Sequence, residues 1–110
     1  MKFSTIIVDD EALGRERLRM LLKADESIMI VTECEGGKQA LHEIQDKNPD
    51  IVLLDIQMPD LDGFGVITEL QKKSRNLPII IFVTAYDEHA VKAFEVNAMD
   101  YLLKPVQRSR

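Results

Sequence analysis

The chemistry this sequence can offer is concentrated at four places. Asp9, Asp10 and Glu11 stand in a row near the amino end; Asp55, Thr84 and Lys104 stand alone further along. Three of these places directly follow an apolar run, Thr5-Ile6-Ile7-Val8, Ile51-Val52-Leu53-Leu54 and Ile79-Ile80-Ile81-Phe82-Val83, and the fourth follows the strand-like stretch Met99 to Leu103. If the fold gathers these places, the carboxylates repel. Two unit charges about 4 Å apart cost about 4 kcal/mol at an effective dielectric of about 20. Lys104 offsets part of that cost and a divalent cation offsets more. A donor set of oxygens alone, with no His or Cys, favours Mg²⁺, Mn²⁺ or Ca²⁺ over zinc. Mg²⁺ suits a sparse site best, because it keeps waters and substrate oxygens as ligands. A carboxylate can also attack phosphorus and form an aspartyl phosphate. The transition state of that transfer spreads charge over three equatorial oxygens, so catalysis is mainly positioning and electrostatics. The cation, the Lys104 ammonium and the Thr84 hydroxyl supply one partner for each oxygen.

The elements that would position these residues follow from two alternating periodicities. Gly14, Leu18, Leu21 and Leu22 recur at helical spacing, as do Gly37, Ala40, Leu41 and Ile44, and Gly63, Val66, Ile67 and Leu70. Asp87 to Glu95 reads as a short fourth helix. Ile28 to Cys34 reads as a second strand and Met99 to Leu103 as a fifth. Asn48-Pro49-Asp50, Asp60-Leu61-Asp62-Gly63 and Asn76-Leu77-Pro78 are the breaks between elements. The βαβαβαβαβ alternation implies an α/β fold with a doubly wound parallel sheet. The first, third and fourth strands are apolar throughout rather than alternating, as expected of central strands covered by helices on both faces. In a parallel sheet every carboxyl end lies on one edge, and right-handed crossovers leave few topologies. The expected order is 2-1-3-4-5, with its reversal between the first and third strands. Ligands bind outside that reversal, so Asp9, Asp10 and Asp55 would flank the crevice, with Thr84 and Lys104 beside it.

Length and composition narrow the class. The chain has 110 residues, 45% apolar and 30% charged, which fits one soluble domain able to bury roughly two-thirds of its unfolded surface. No apolar run approaches the ~18 residues of a membrane span, and the amino end lacks the pattern of a signal peptide. One cysteine, Cys34, fits a reducing cytoplasm and a buried, inert thiol. A net charge of −5 argues against direct nucleic-acid contact by this domain. Pro105 can open a fifth helix, yet only Val106 to Arg110 follow it. That helix is expected to be truncated. Residues 1–110 then form one domain of a longer protein, or a neighbouring chain covers the open face.

The residues at the four places resemble the receiver domains of two-component response regulators. The resemblance rests on Val8-Asp9-Asp10-Glu11, on Leu54-Asp55-Ile56-Gln57-Met58-Pro59-Asp60-Leu61-Asp62-Gly63, on Val83-Thr84-Ala85-Tyr86 and on Asp100-Tyr101-Leu102-Leu103-Lys104-Pro105. It runs over almost the whole chain and agrees in order and spacing. It implies a flavodoxin-like fold and Asp55 as phosphoacceptor. It implies Mg²⁺ held by Asp10, Asp55 and the Gln57 carbonyl, with Asp9 acting through water. Thr84 and Tyr101 resemble the switch pair, Lys104 the phosphoryl-binding lysine, and the Lys104–Pro105 peptide would be cis. Gln57 and Tyr86 stand where the family tunes hydrolysis. A sensor histidine kinase would be the donor, docking near the first helix, where Arg15, Arg17 and Arg19 read as exposed. The stretch from Thr84 to Pro105 is similar to receivers joined to LytTR-type DNA-binding domains. That implies a linked output domain and a homodimer face on the fourth helix and fifth strand.

Blander roles compete for several residues. Asp9, Asp10 and Glu11 could cap the first helix. Asp60 and Asp62 read as turn and cap residues rather than ligands, and His42 and His89 have no partner at metal spacing. Three other classes are disfavoured. An Asp-nucleophile phosphatase of haloacid-dehalogenase type needs a second Asp where Gln57 stands. An unphosphorylated interaction module has no use for the intact acidic set. A flavin-binding domain needs a phosphate loop where Asp9-Asp10-Glu11 would repel phosphate.

Overall fold

The computed structural model describes residues 2–73, 77–84 and 100–103, with Thr84 and 100–103 described as backbone only. In chain order the elements are β1 (Phe3–Val8), α1 (Ala12–Lys23), β2 (Ile28–Cys34), α2 (Gly37–Lys47), β3 (Ile51–Asp55), α3 (Gly63–Lys73), β4 (Ile79–Thr84) and β5 (Asp100–Leu103). The strands form one five-stranded sheet in the order β2-β1-β3-β4-β5, and every pairing is parallel. The doubly wound flavodoxin-like order expected from the sequence is therefore the observed one. β1 begins at Phe3 rather than Thr5, because Phe3 and Ser4 still pair with Ile28 and Met29. The fourth helix read at Asp87–Glu95 and the segment from Lys104 onward lie outside the described residues.

Continuous apolar runs in the central strands are explained by two cores, one on each face of the sheet. Ile6, Val8, Val52, Leu54, Ile80 and Phe82 turn to one face, where Ala40 and Ile44 of α2 and Val66, Ile67 and Leu70 of α3 cover them. Phe64 meets Phe82 edge-on there, with ring centroids 5.1 Å apart. Ile7, Leu53 and Val83 turn to the other face and meet Leu18 of α1, with Leu22 and Ile30 at the margin. The strand period of two thus delivers an apolar residue to a core at every step. β2, at the edge, is only partly buried until Cys34, and its register against β1 shifts between Thr5 and Ile6, as edge strands tolerate.

The turns are built by the residues whose chemistry suits them. α2 ends on Asn48 in the left-handed conformation, φ 49°, which Asn tolerates better than most residues, and Pro49 prevents continuation. The next residue, Asp50, laces the amino ends of three strands. Its N–H donates to the Ser4 carbonyl at 2.9 Å, and its own carbonyl accepts from Ile79 N–H at 2.9 Å. Its carboxylate Oδ2 accepts from the Ser4 N–H at 2.9 Å. β1, β3 and β4 therefore start from one fixed floor, opposite the edge where the acidic residues lie.

Candidate functional site

At the carboxyl edge of the sheet, β1 runs out into Asp9 and Asp10 while β3 closes on Asp55 next to it. The register Val8↔Leu54 places these strand ends side by side. Asp9 and Asp55 are buried, 0% and 5% exposed, whereas Asp10 faces solvent. One carboxylate oxygen from each of the three lies within 4.8 Å of the others. Carboxylates so placed repel strongly, and an all-oxygen cluster with one open side fits a small hard cation. Asp10 also lines an open depression of about 420 Å³ together with Gln57, Met58, Pro59 and Asp62. The three acids and Gln57, far apart in the chain, are thus brought to one place. β4 ends on Thr84, one residue past the partner of Asp55, and Tyr101 pairs with Phe82 on β5. Lys104, Pro105 and Tyr86 lie outside the described residues.

Local hydrogen bonds set the pose of the acids. The Glu11 N–H donates to Asp9 Oδ1 at 2.9 Å, and the Gln57 N–H donates to Asp55 Oδ1 at 3.3 Å. Glu11, at the N-cap of α1, makes no side-chain cap bond, and the Asp9 carboxylate bonds the N–H of that N-cap residue, just ahead of the helix. Behind Asp9 stands Gly14, whose place α1 keeps clear: a Cβ there would strike the Asp9 carboxylate, lying 2.9 Å from its carboxyl carbon. The missing side chain is what allows the helix to approach the buried acid.

Asp62 and Asp60 do cap helices, one of them remotely. Asp62 Oδ1 accepts from the Gly65 N–H at 2.8 Å at the start of α3. Asp60 instead reaches α2, accepting from Gly37 N–H at 3.1 Å and Lys38 N–H at 3.0 Å. The bonds from Lys38 and then Gly37 hold its carboxyl below the ordinary carboxylate range.

Arg15 departs from the sequence expectation. Its side chain is only 14% exposed, because the guanidinium is spent on three partners. Nη1 donates to the Asp9 carbonyl at 2.8 Å, Nη2 lies 3.4 Å from Glu35 Oε1, and Nε lies 3.9 Å from Glu33 Oε1. Arg19 Nη1 also reaches Glu33, at 2.9 Å. A signal for this cluster was present in the spacing. Arg15 and Arg19 share a helix face, Glu33 stands two residues before Glu35 at the end of β2, and the two groups meet.

Comparisons with known proteins agree with this geometry. Residues 5–110 match the response regulator receiver domain. The transcriptional regulatory protein BtsR of Salmonella typhi is 47% identical over 105 residues, 96% of this chain and 43% of that protein. The sensory transduction protein LytT of Bacillus cereus is 46% identical over 96% of this chain and 42% of that protein. The chain therefore spans less than half the length of either regulator. Among solved structures, the response regulatory domain of mrkE from Klebsiella pneumoniae superposes with a TM-score of 0.87 at 39% identity, covering 97% of this chain and 87% of that one. The REC domain of AraT from Geobacillus stearothermophilus gives 0.88 at 34% identity, covering 100% and 87%. With the sheet order, the acidic edge and these relatives in agreement, the chain belongs to the receiver-domain family of two-component response regulators.

Proposed function

We propose that this domain accepts a phosphoryl group on Asp55 and works as the input switch of a longer regulator. The observation that carries the reading is the convergence of the Asp9, Asp10 and Asp55 carboxylates at one sheet edge. Asp10, Asp55 and the Gln57 carbonyl, with Asp9 through water, would hold Mg²⁺, which when bound neutralises charge on the transferring phosphoryl oxygens. Asp55 is the nucleophile. Its carboxylate oxygen forms a bond to phosphorus as the P–N bond of a kinase phosphohistidine breaks, and the electron pair leaves with the imidazole. The Thr84 hydroxyl and the Lys104 ammonium donate to the remaining equatorial oxygens. Water later cleaves the acyl phosphate, returning the carboxylate and releasing inorganic phosphate. Chemistry is confined to the protein's own aspartate, so the domain is a switch and not a turnover enzyme.

The added charge of about −1.5 to −2 would draw Thr84 toward the phosphoryl group and let Tyr101 turn inward. That biases a surface on the fourth helix and β5, used for a homodimer or for an attached output domain. BtsR is described as a transcriptional regulatory protein and LytT as a sensory transduction protein. Their likeness favours a LytTR-type DNA-binding output acting in the cytoplasm. Among the described residues, no helix is long and apolar enough to cross a membrane. The test is intact mass after incubation with acetyl phosphate and Mg²⁺. Wild type should gain one phosphoryl group and Asp55→Asn none; a wild type that gains nothing, or a variant that gains as much, ends the reading.

A further inference from the structure

The loop that follows Asp55 is held at both ends by different means. Its neck is closed by the Gly63 N–H, which donates to the Ile56 carbonyl at 2.8 Å. Its tip is held by Asp60, whose two carboxylate oxygens take the Gly37 and Lys38 amides, among the first of α2. α2 cannot cap itself, since its N-cap is Gly36 and makes no side-chain bond. The helix start is also cut away to admit the loop. A Cβ at Gly36 would lie 3.0 Å from Asp60 Oδ1, and one at Gly37 would strike the Leu61 carbonyl, 2.8 Å from its carbon. Two consecutive glycines therefore let the loop sit against α2, and the acid supplies the polar contact. Gln57, between neck and tip, lines the same depression as Asp10.

We propose that Asp60 is a positioning residue: by capping α2 from the β3–α3 loop, it holds the Gln57 backbone beside Asp10 and Asp55 and so sets the affinity of the cluster for a divalent cation without touching the cation. The proposal rests on the cation reading of Asp9, Asp10 and Asp55. It differs from plain helix capping, which would change stability and leave affinity alone. Groups that orient ligands from outside the coordination shell typically matter about 10-fold or more in metal affinity.

The experiment is a calorimetric titration with Mg²⁺ of wild type, Asp60→Ala and Asp60→Asn, with amide exchange at Gly63 followed in the absence of metal. Asp60→Ala should bind Mg²⁺ about 10-fold more weakly and exchange faster at Gly63, a neck amide that Asp60 does not itself bond. Asp60→Asn keeps one oxygen acceptor and should retain most of the affinity. An Asp60→Ala affinity within about twofold of wild type overturns the proposal, as does unchanged exchange at Gly63. Equal weakening in Asn and Ala would also overturn it, because the effect would then be one of charge. A wild type that takes up no Mg²⁺ overturns the cation reading itself, and the proposal with it, which separates that failure from the others.

Discussion

Cys34 closes β2, and its carbonyl accepts the Asp9 N–H at 3.1 Å. Its thiol is fully buried in the larger core, and burial pushes it from 9.0 to about 11, with Glu43 adding to the rise and Lys47 opposing it. The fold therefore prefers the protonated form. At low pH both folded and unfolded thiols are neutral, and the preference is fully present. As pH rises from 9.0 toward about 11 the unfolded thiol ionises and the folded one does not, so stability is lost across that window. The urea midpoint of wild type should fall more steeply between pH 9.0 and 11 than that of Cys34→Ala. Parallel profiles would remove Cys34 as a source of alkaline sensitivity.

Between elements, Arg15 joins α1, the end of β1 and β2. The Glu35 contact is solvent-exposed and adds little, about 0–1 kcal/mol. The bond to the Asp9 carbonyl is charge-assisted and better shielded, worth about 1.5–3 kcal/mol. Arg15→Ala should thus lower unfolding free energy in urea by about 1.5–3 kcal/mol, and Arg15→Lys should restore less than half, since a single ammonium cannot span the fork of acceptors. Full recovery with Lys would show that charge alone suffices. Arg15 and Asp60 also mark where sequence reading stopped. The sheet order and the acidic edge were legible, because apolar runs of Ile, Val and Leu end at Asp9, Asp55 and Thr84 within the local sequence. The Arg15–Glu35 contact and the bonds of Asp60 to α2 join residues 20, 22 and 23 positions apart across different elements; spacing along the chain marks which faces carry charge but not which side chains pair. Thr84 stands at the end of the apolar run read as the fourth strand and Tyr101 within the stretch read as the fifth, and the structure has them on β4 and β5.

For the molecule as a whole, three acids at one edge are a standing electrostatic cost within a chain of net charge −5. A ligand that binds only the folded cluster stabilises by mass action, about 1.4 kcal/mol at a free concentration about ten times its Kd. Added Mg²⁺ should therefore raise the thermal midpoint by roughly 5–8 °C, beyond the effect of NaCl at equal ionic strength. Asp10→Asn should abolish that rise, and a rise surviving in the variant would place the cation elsewhere. The floor built around Asp50 bears on the same edge. Because β1, β3 and β4 are anchored together at their starts, each acts as a measuring rod of fixed span, and its length alone decides how high its terminal residue stands. One extra residue in any of them would lift that terminus by about 3.3 Å and swing its side chain to the opposite face. The chemistry at the top is gauged from the bottom.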